Sequence, residues 1–292
     1  METRKLGTTG IDVSAFALGT WELGGLWWGP IDAEDSVEIL HRALDLGVTT
    51  YDASDAYGNG RSEVILGEAL RGRRADTVLI TKAGYLVGID GAQTLFQQRG
   101  VPQPQCYEPW YIRHECELSL RRLQTDYIDA YLLHDPPVDV VKREEPWETL
   151  RELKQAGKVR SIGLSSSVAA CVEAVRQGCA DVVEVSYSVA LQEAAAELFP
   201  LCAEKGVGVL ARSPFASGRL FQDAATVERL TAALVKPPVE SLHAAAIKFV
   251  LSHPHVAACI TGVMNTEELE ANVRAAEPPY LADEQRKLVE FP

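Results

Sequence analysis

Basic residues are scarce. Against 41 aspartates and glutamates the 292-residue chain sets only 28 lysines and arginines, a formal net charge of −13. That balance repels a phosphate backbone, and no Lys/Arg-rich cluster offsets it, which excludes nucleic-acid binding. No apolar run approaches the roughly 20 residues that span a bilayer, so no membrane association is expected. Met1-Glu2-Thr3-Arg4-Lys5 has no apolar stretch behind it, so no secretory signal is expected either. The six cysteines (106, 116, 171, 179, 202 and 259) show neither CxxC nor Cys/His metal spacing. Reduced, mostly buried thiols in a cytoplasmic protein are the expectation. His114-Glu115 lacks the second histidine of HExxH, and no metal site is expected. The glycine fingerprint of an open dinucleotide-binding sheet follows none of the strand candidates. Gly67 and Gly72 mimic the spacing of a phosphate loop, but Arg73-Arg74 follow in place of Lys-Ser/Thr, and the segment reads as a helix end.

What is present is alternation. Eight short β-rich runs are predicted at 16–19, 48–51, 78–81, 128–133, 161–164, 182–185, 207–210 and 258–260. Between them lie amphipathic stretches, such as Val37, Leu40, Leu44 and Leu46, or Leu150, Leu153 and Ala156. Gly47 and Gly157 sit where helices end on a left-handed residue. Regular strand–helix alternation implies a parallel sheet with helices outside, and eight units in this length imply a closed barrel. The fold class is therefore α/β, a (β/α)8 TIM barrel formed as one domain over residues 1–292.

In such a barrel the C-terminal strand ends form the active face. Read in order, those positions offer Gly19-Thr20-Trp21, Asp52, Lys82, His134, Ser165-Ser166, Tyr187-Ser188, Arg212-Ser213 and Thr261-Gly262. The stretch YDASDAYGNGRSE, residues 51–63, adds Tyr57 on a Gly-rich loop beside Asp52. A tyrosine with its ordinary pKa of about 10 is a poor acid at neutral pH. A lysine ammonium close by favours the phenolate, so Lys82 is expected to lower the Tyr57 pKa, with Asp52 holding Lys82 charged. His134 can orient a carbonyl. This is a set for acid–base work on a carbonyl or alcohol, and the hydride would have to come from a nicotinamide cofactor. A barrel hydrolase would want paired carboxylates or a metal cluster at the strand ends, and the sequence displays neither.

The chain also resembles the aldo-keto reductases over essentially its whole length. RKLGTTGIDVSAFALGTWELG, YDASDAYGNGRSEVILGEAL, LITKAGY, RLQTDYIDAYLLHDP, GKVRSIGLSSS, GVGVLARSPFASGRL and ITGVMNTEELEANV match that family's motifs in order and spacing. The resemblance implies an N-terminal hairpin, a TIM barrel, NAD(P)(H) bound in an extended conformation, and carbonyl reduction or alcohol oxidation. It maps the family's catalytic aspartate, tyrosine, lysine and histidine onto Asp52, Tyr57, Lys82 and His134. It also brings Gly19, Thr20 and Trp21 to the cofactor. Ser165 matches the serine that holds the nicotinamide carboxamide. Ser166 stands where an asparagine is usual, Glu184 where a glutamine is usual, and Arg212 where many members stack an aromatic on the nicotinamide. Ser213, Pro214, Ser217, Gly218 and Leu220 match the pyrophosphate loop.

Residues 262–272 resemble the adenosine-side loop, which includes Gly262, Asn265, Glu268 and Asn272. No basic residue stands in its Val263–Glu268 portion to meet a 2′-phosphate, and an acidic side chain suits a free ribose hydroxyl. The cofactor is thus NADP(H) or NAD(H), with a lean toward accepting NAD(H) that Arg274 would oppose. Trp27, Trp28 and Tyr85 are candidates for the substrate wall, and the long connection 85–110 for a lid or specificity loop. The partner is a small carbonyl or alcohol, the assembly a monomer or small homo-oligomer. The alternative is a nicotinamide-binding, redox-sensing regulatory subunit of slow turnover, a role that some members of the family play.

Overall fold

The computed structural model describes residues 1–25, 31–87 and 103–289. Trp27, Trp28 and most of the 85–110 connection lie outside the described residues. A short antiparallel hairpin, β1 (Thr3–Lys5) and β2 (Asp12–Ser14), precedes the barrel. The barrel strands are β3 (Phe16–Gly19), β4 (Thr50–Asp52), β5 (Val78–Ala83) and β6 (Ile128–His134). They continue as β7 (Val159–Ser165), β8 (Val182–Ser186), β9 (Gly208–Arg212) and β10 (Ala258–Thr261). All run parallel in chain order, and β10 pairs with β3 to close the ring. Eight strands give a barrel whose interior side chains alone can fill.

The period of two in each strand separates two cores. Inward residues Ala17, Ile80, Ala130, Leu132, Val182, Leu210 and Ile260 form one cluster inside the barrel. Leu6, Ile11 and Val13 from the hairpin belong to the same cluster and plug the N-terminal end. The alternate residues, among them Leu18, Tyr51, Tyr131, Leu133, Leu164 and Val209, face the surrounding helices in the larger core.

All eight predicted strands are present, and most run one or two residues beyond the predicted ends. The second differs at its start. Val48 donates its N–H to Ala43 O at 2.9 Å, closing the helix Ala33–Asp45, so β4 begins at Thr50 and takes in Asp52. Gly47 and Gly157 both terminate helices with left-handed φ of +79° and +75°. The segment with phosphate-loop spacing spans the end of the helix Arg61–Ala69. No helix among the described residues is long and apolar enough to cross a membrane. Cys116, Cys171, Cys202 and Cys259 are buried free thiols.

Candidate active site

Strand register gathers the ionisable groups. Asp52 pairs with Gly19 and Ile80, Lys82 with Leu132, His134 with Ser165, and Ser165 with Glu184. Asp52, Lys82 and His134 keep the parity of the inward residues in their strands, so their side chains converge at the C-terminal rim. Tyr57 comes from the loop after β4. A Cβ on the next residue, Gly58 (φ +64°), would lie 2.4 Å from Gly24 O. Glycine there lets the loops after β3 and β4 touch backbone to backbone, which fixes Tyr57 over the rim.

Lys82 is the hub. Its fully buried Nζ donates to Asp52 Oδ1 at 2.5 Å, to Ala53 O at 3.0 Å and to the Tyr57 hydroxyl at 3.2 Å. Glu184 Oε2 lies 3.5 Å from the same nitrogen. The sequence displayed no paired carboxylates, yet Asp52 and Glu184 meet on one ammonium. They are distant in the chain, and only closure of the barrel brings them together.

These surroundings set the proton affinities. Burial alone would lower Lys82, but Asp52, Glu184 and Tyr57 hold it above its ordinary value, as an ammonium. Burial and the Glu184 charge push the Asp52 carboxyl up, against the pull of Lys82. Tyr57 departs from the sequence expectation. Burial raises it, with Asp52 and Glu184 adding to the rise, and Lys82 offsets only part. The ammonium is shared between two carboxylates, so little of its field is left for the phenol. His134 is pushed down to about 4 by burial, aided by Lys82 and Arg212, and is a neutral imidazole at pH 7.

The groups border a cavity of about 510 Å³. The profile of the aldo/keto reductase family matches residues 15–291. The chain belongs to that family. Its members are NAD(P)(H)-dependent oxidoreductases. An uncharacterized oxidoreductase of Bacillus subtilis, YqkF, is 32% identical over 99% of this chain and 96% of its own length. An NADH-specific methylglyoxal reductase of Escherichia coli is 35% identical over 75% of this chain and 69% of its own. Among solved structures, the holo form of aldo-keto reductase AKR11C1 from Bacillus halodurans superposes with a TM-score of 0.83. It is 32% identical and covers 99% of this chain and 95% of that one. Glycerol dehydrogenase AKR11B4 from Gluconobacter oxydans gives a TM-score of 0.81 at 26% identity, over 98% of this chain and 93% of that one.

In this aldo/keto reductase Asp52, Tyr57, His134, Ser165, Glu184 and Arg212 line the cavity, with Lys82 buried beside them. Gly19, Trp21 and Tyr85 border it on one side; Ser213, Pro214, Ser217, Gly218 and Gly262 border it on another. Other predicted residues stand back from it. Thr20 Oγ1 donates to Asp52 O at 2.9 Å, and Ser166 Oγ donates to Pro136 O at 2.9 Å, so both brace strand ends. Leu220 and Asn272 are buried away from the cavity lining. Asn265 caps the helix Thr266–Ala275 by accepting from Glu268 N at 2.8 Å, and Glu268 Oε2 accepts from Met264 N at 2.8 Å. Arg274 is mostly exposed, 3.7 Å from Glu270.

The sequence reading missed Glu22, Ser54 and Asp135. Glu22 lines the cavity with a carboxylate lying over Gly262, where a Cβ would come within 1.6 Å of Glu22 Oε2. Asp135 follows His134, lines the cavity, and accepts from the Tyr85 hydroxyl at 2.8 Å. Its position next to a strand-end histidine was the available signal. Ser54 contacts the Nδ1 of His134 at 2.9 Å. Three residues from Tyr57 in the same motif, it had no signal of its own.

Proposed function

We propose that residues 1–292 act as one catalytic domain that reduces a small aldehyde or ketone to an alcohol, or runs the reverse reaction, with Tyr57 as proton donor. The observation that carries this reading is the Tyr57–Lys82–Asp52 hydrogen-bonded chain opening beside neutral His134 on the cavity. When bound, NAD(P)H supplies the hydride. His134 directs its free ring nitrogen to the carbonyl oxygen. Tyr57 gives its proton to that oxygen, and the Lys82 ammonium, already hydrogen-bonded to the phenol, stabilises the phenolate left behind.

The residues present fit the cofactor. Ser213, Ser217 and Gly218 border the cavity in left-handed conformations (φ 60°, 56° and 81°), and nothing lies within 4 Å of a Cβ built on Gly218. This open, small-residue run suits close approach of a phosphate. Ser165 Oγ donates to Glu184 Oε1 at 2.9 Å, and the two side chains offer oxygen acceptors to the NH2 of a carboxamide. On the adenosine side, Glu268 accepts from the loop backbone and the exposed Arg274 lies 3.7 Å from Glu270, so the described residues 263–268 turn no cation toward a 2′-phosphate. NAD(H) is therefore the cofactor we assign, in line with the NADH-specific methylglyoxal reductase among the relatives.

Oxidation of NADH and of NADPH, each followed with methylglyoxal and with an aromatic aldehyde, tests both parts. Turnover with NADH at least as fast as with NADPH supports the assignment. A strong preference for NADPH overturns the cofactor choice. Tight cofactor binding without turnover of any carbonyl overturns the reductase reading in favour of a sensor.

A further inference from the structure

Behind His134 lies a chain of groups that the tetrad does not include. Ser54 Oγ is 2.9 Å from His134 Nδ1 and 2.9 Å from Asp55 Oδ1, and it accepts from Ala56 N at 3.1 Å. Ser54 and Asp55 are fully buried. The hydroxyl has one proton to place between two neighbours, so the chain can run in only two directions. If Asp55 is a carboxylate, Ser54 donates to it, Nδ1–H donates to Ser54, and Nε2 is a bare acceptor. If Asp55 is a carboxylic acid, it donates to Ser54, Ser54 donates to Nδ1, and the proton of the neutral imidazole sits on Nε2. Only the second direction gives a carbonyl oxygen a donor.

The surroundings of Asp55 decide between them. Its Oδ2 is buried without a hydrogen-bond partner, a costly state for an ionised oxygen. Arg122, a cation that Asp55 faces, is taken by two other carboxylates, 3.0 Å from Glu63 and 3.5 Å from Glu115. Both of those face Asp55, while Tyr107, Tyr111 and Tyr131 supply no positive charge. Burial first, then Glu63 and Glu115, hold the Asp55 carboxyl well above its ordinary value. On the other side, His134 is faced by Asp135, Lys82, Glu184 and Arg212, and burial keeps it neutral.

We infer that Ser54 and a protonated Asp55 are positioning residues that fix His134 as the Nε2–H tautomer, so that it donates to the substrate oxygen. The inference rests on the reductase reading only for what Nε2–H is used for; the tautomer itself is a property of the protein without any ligand. It also gives a pH dependence. As pH rises through the Asp55 pKa the chain reverses, Nε2 loses its proton to Nδ1, and carbonyl reduction falls.

The test is long-range 1H–15N NMR of the ring nitrogens in 15N-histidine-labelled protein, with the His134 signals assigned through His134→Asn. The wild type is expected to show the Nε2–H tautomer at neutral pH. Ser54→Ala removes the link and should give a mixture or the Nδ1–H form, with kcat lowered about tenfold or more, the scale of a weakened general acid–base contact. Asp55→Asn still has an N–H to donate to Ser54. It should keep Nε2–H and most of kcat, and should lose the high-pH fall seen in the wild type. An Nδ1–H wild type overturns the inference without any variant having to fold. So does a Ser54→Ala protein with the wild-type tautomer. An Nε2–H protein that reduces no carbonyl upholds the tautomer and overturns the reductase reading.

Discussion

Arg212 Nε, from the last residue of β9, and Glu184 Oε1, from the middle of the adjacent strand β8, face one another across 3.7 Å. The barrel makes the two neighbours, and a charged pair stands where the resemblance would place a glutamine and an aromatic. Glu184 also raises Tyr57 and Asp52. Glu184→Gln removes that charge, so the phenolate forms more readily. For alcohol oxidation, which needs the phenolate, the acidic limb of the pH–rate profile should move down by about one unit. An unmoved limb would mean that Glu184 does not act on Tyr57.

Glu22 places a carboxylate over Gly262, at the edge of the groove assigned to the cofactor phosphates. Burial, with Glu268 adding repulsion, raises it to about 7. Below that pH Glu22 is neutral and leaves a phosphate unopposed; above it, two anions meet. Wild-type affinity for NADH, read by fluorescence titration, should weaken as pH rises through about 7. Glu22→Gln should bind roughly three- to tenfold more tightly at pH 8, with less pH dependence and a difference that shrinks in salt. Parallel pH profiles in the two proteins would contradict this.

Gly163 is buried inside β7, where a Cβ would lie 1.8 Å from the Val182 carbonyl oxygen of β8. Backbone of a paired strand cannot step aside as a side-chain tip can. Gly163→Ala should cost about 3 kcal/mol or more, at the upper end of overpacking effects. The expected result is a lower urea midpoint with an unchanged slope. A midpoint within error of wild type would show that β7 and β8 can separate without loss.

The barrel was legible because its signals are local. The eight β-rich runs, the amphipathic stretches between them, and the glycines at 47 and 157 are written in short windows. The tetrad was legible because each member stands at a strand end or in the loop that follows. What escaped the sequence depends on closure. The Asp52–Lys82–Glu184 cluster spans three strands, so neither its shared ammonium nor its effect on Tyr57 has any short-range signature. The orientation of Ser54 toward His134 is equally non-local, an 80-residue separation closed by the pairing of β4, β5 and β6. The local hydrogen bonds of the adenosine-side candidates escaped the sequence for the opposite reason. Asn265 and Glu268 satisfy their own helix terminus, a local demand that the resemblance does not express.

Carbonyl reduction as proposed takes its proton from Tyr57. Single-turnover oxidation of prebound NADH by methylglyoxal, in wild type and Tyr57→Phe, measures it with binding separated from chemistry. NADH should bind both proteins within a few-fold, while the chemical step in Tyr57→Phe slows by about 10²- to 10⁴-fold, the range for loss of a general acid. A variant that binds NADH normally and turns over within a few-fold of wild type would contradict it.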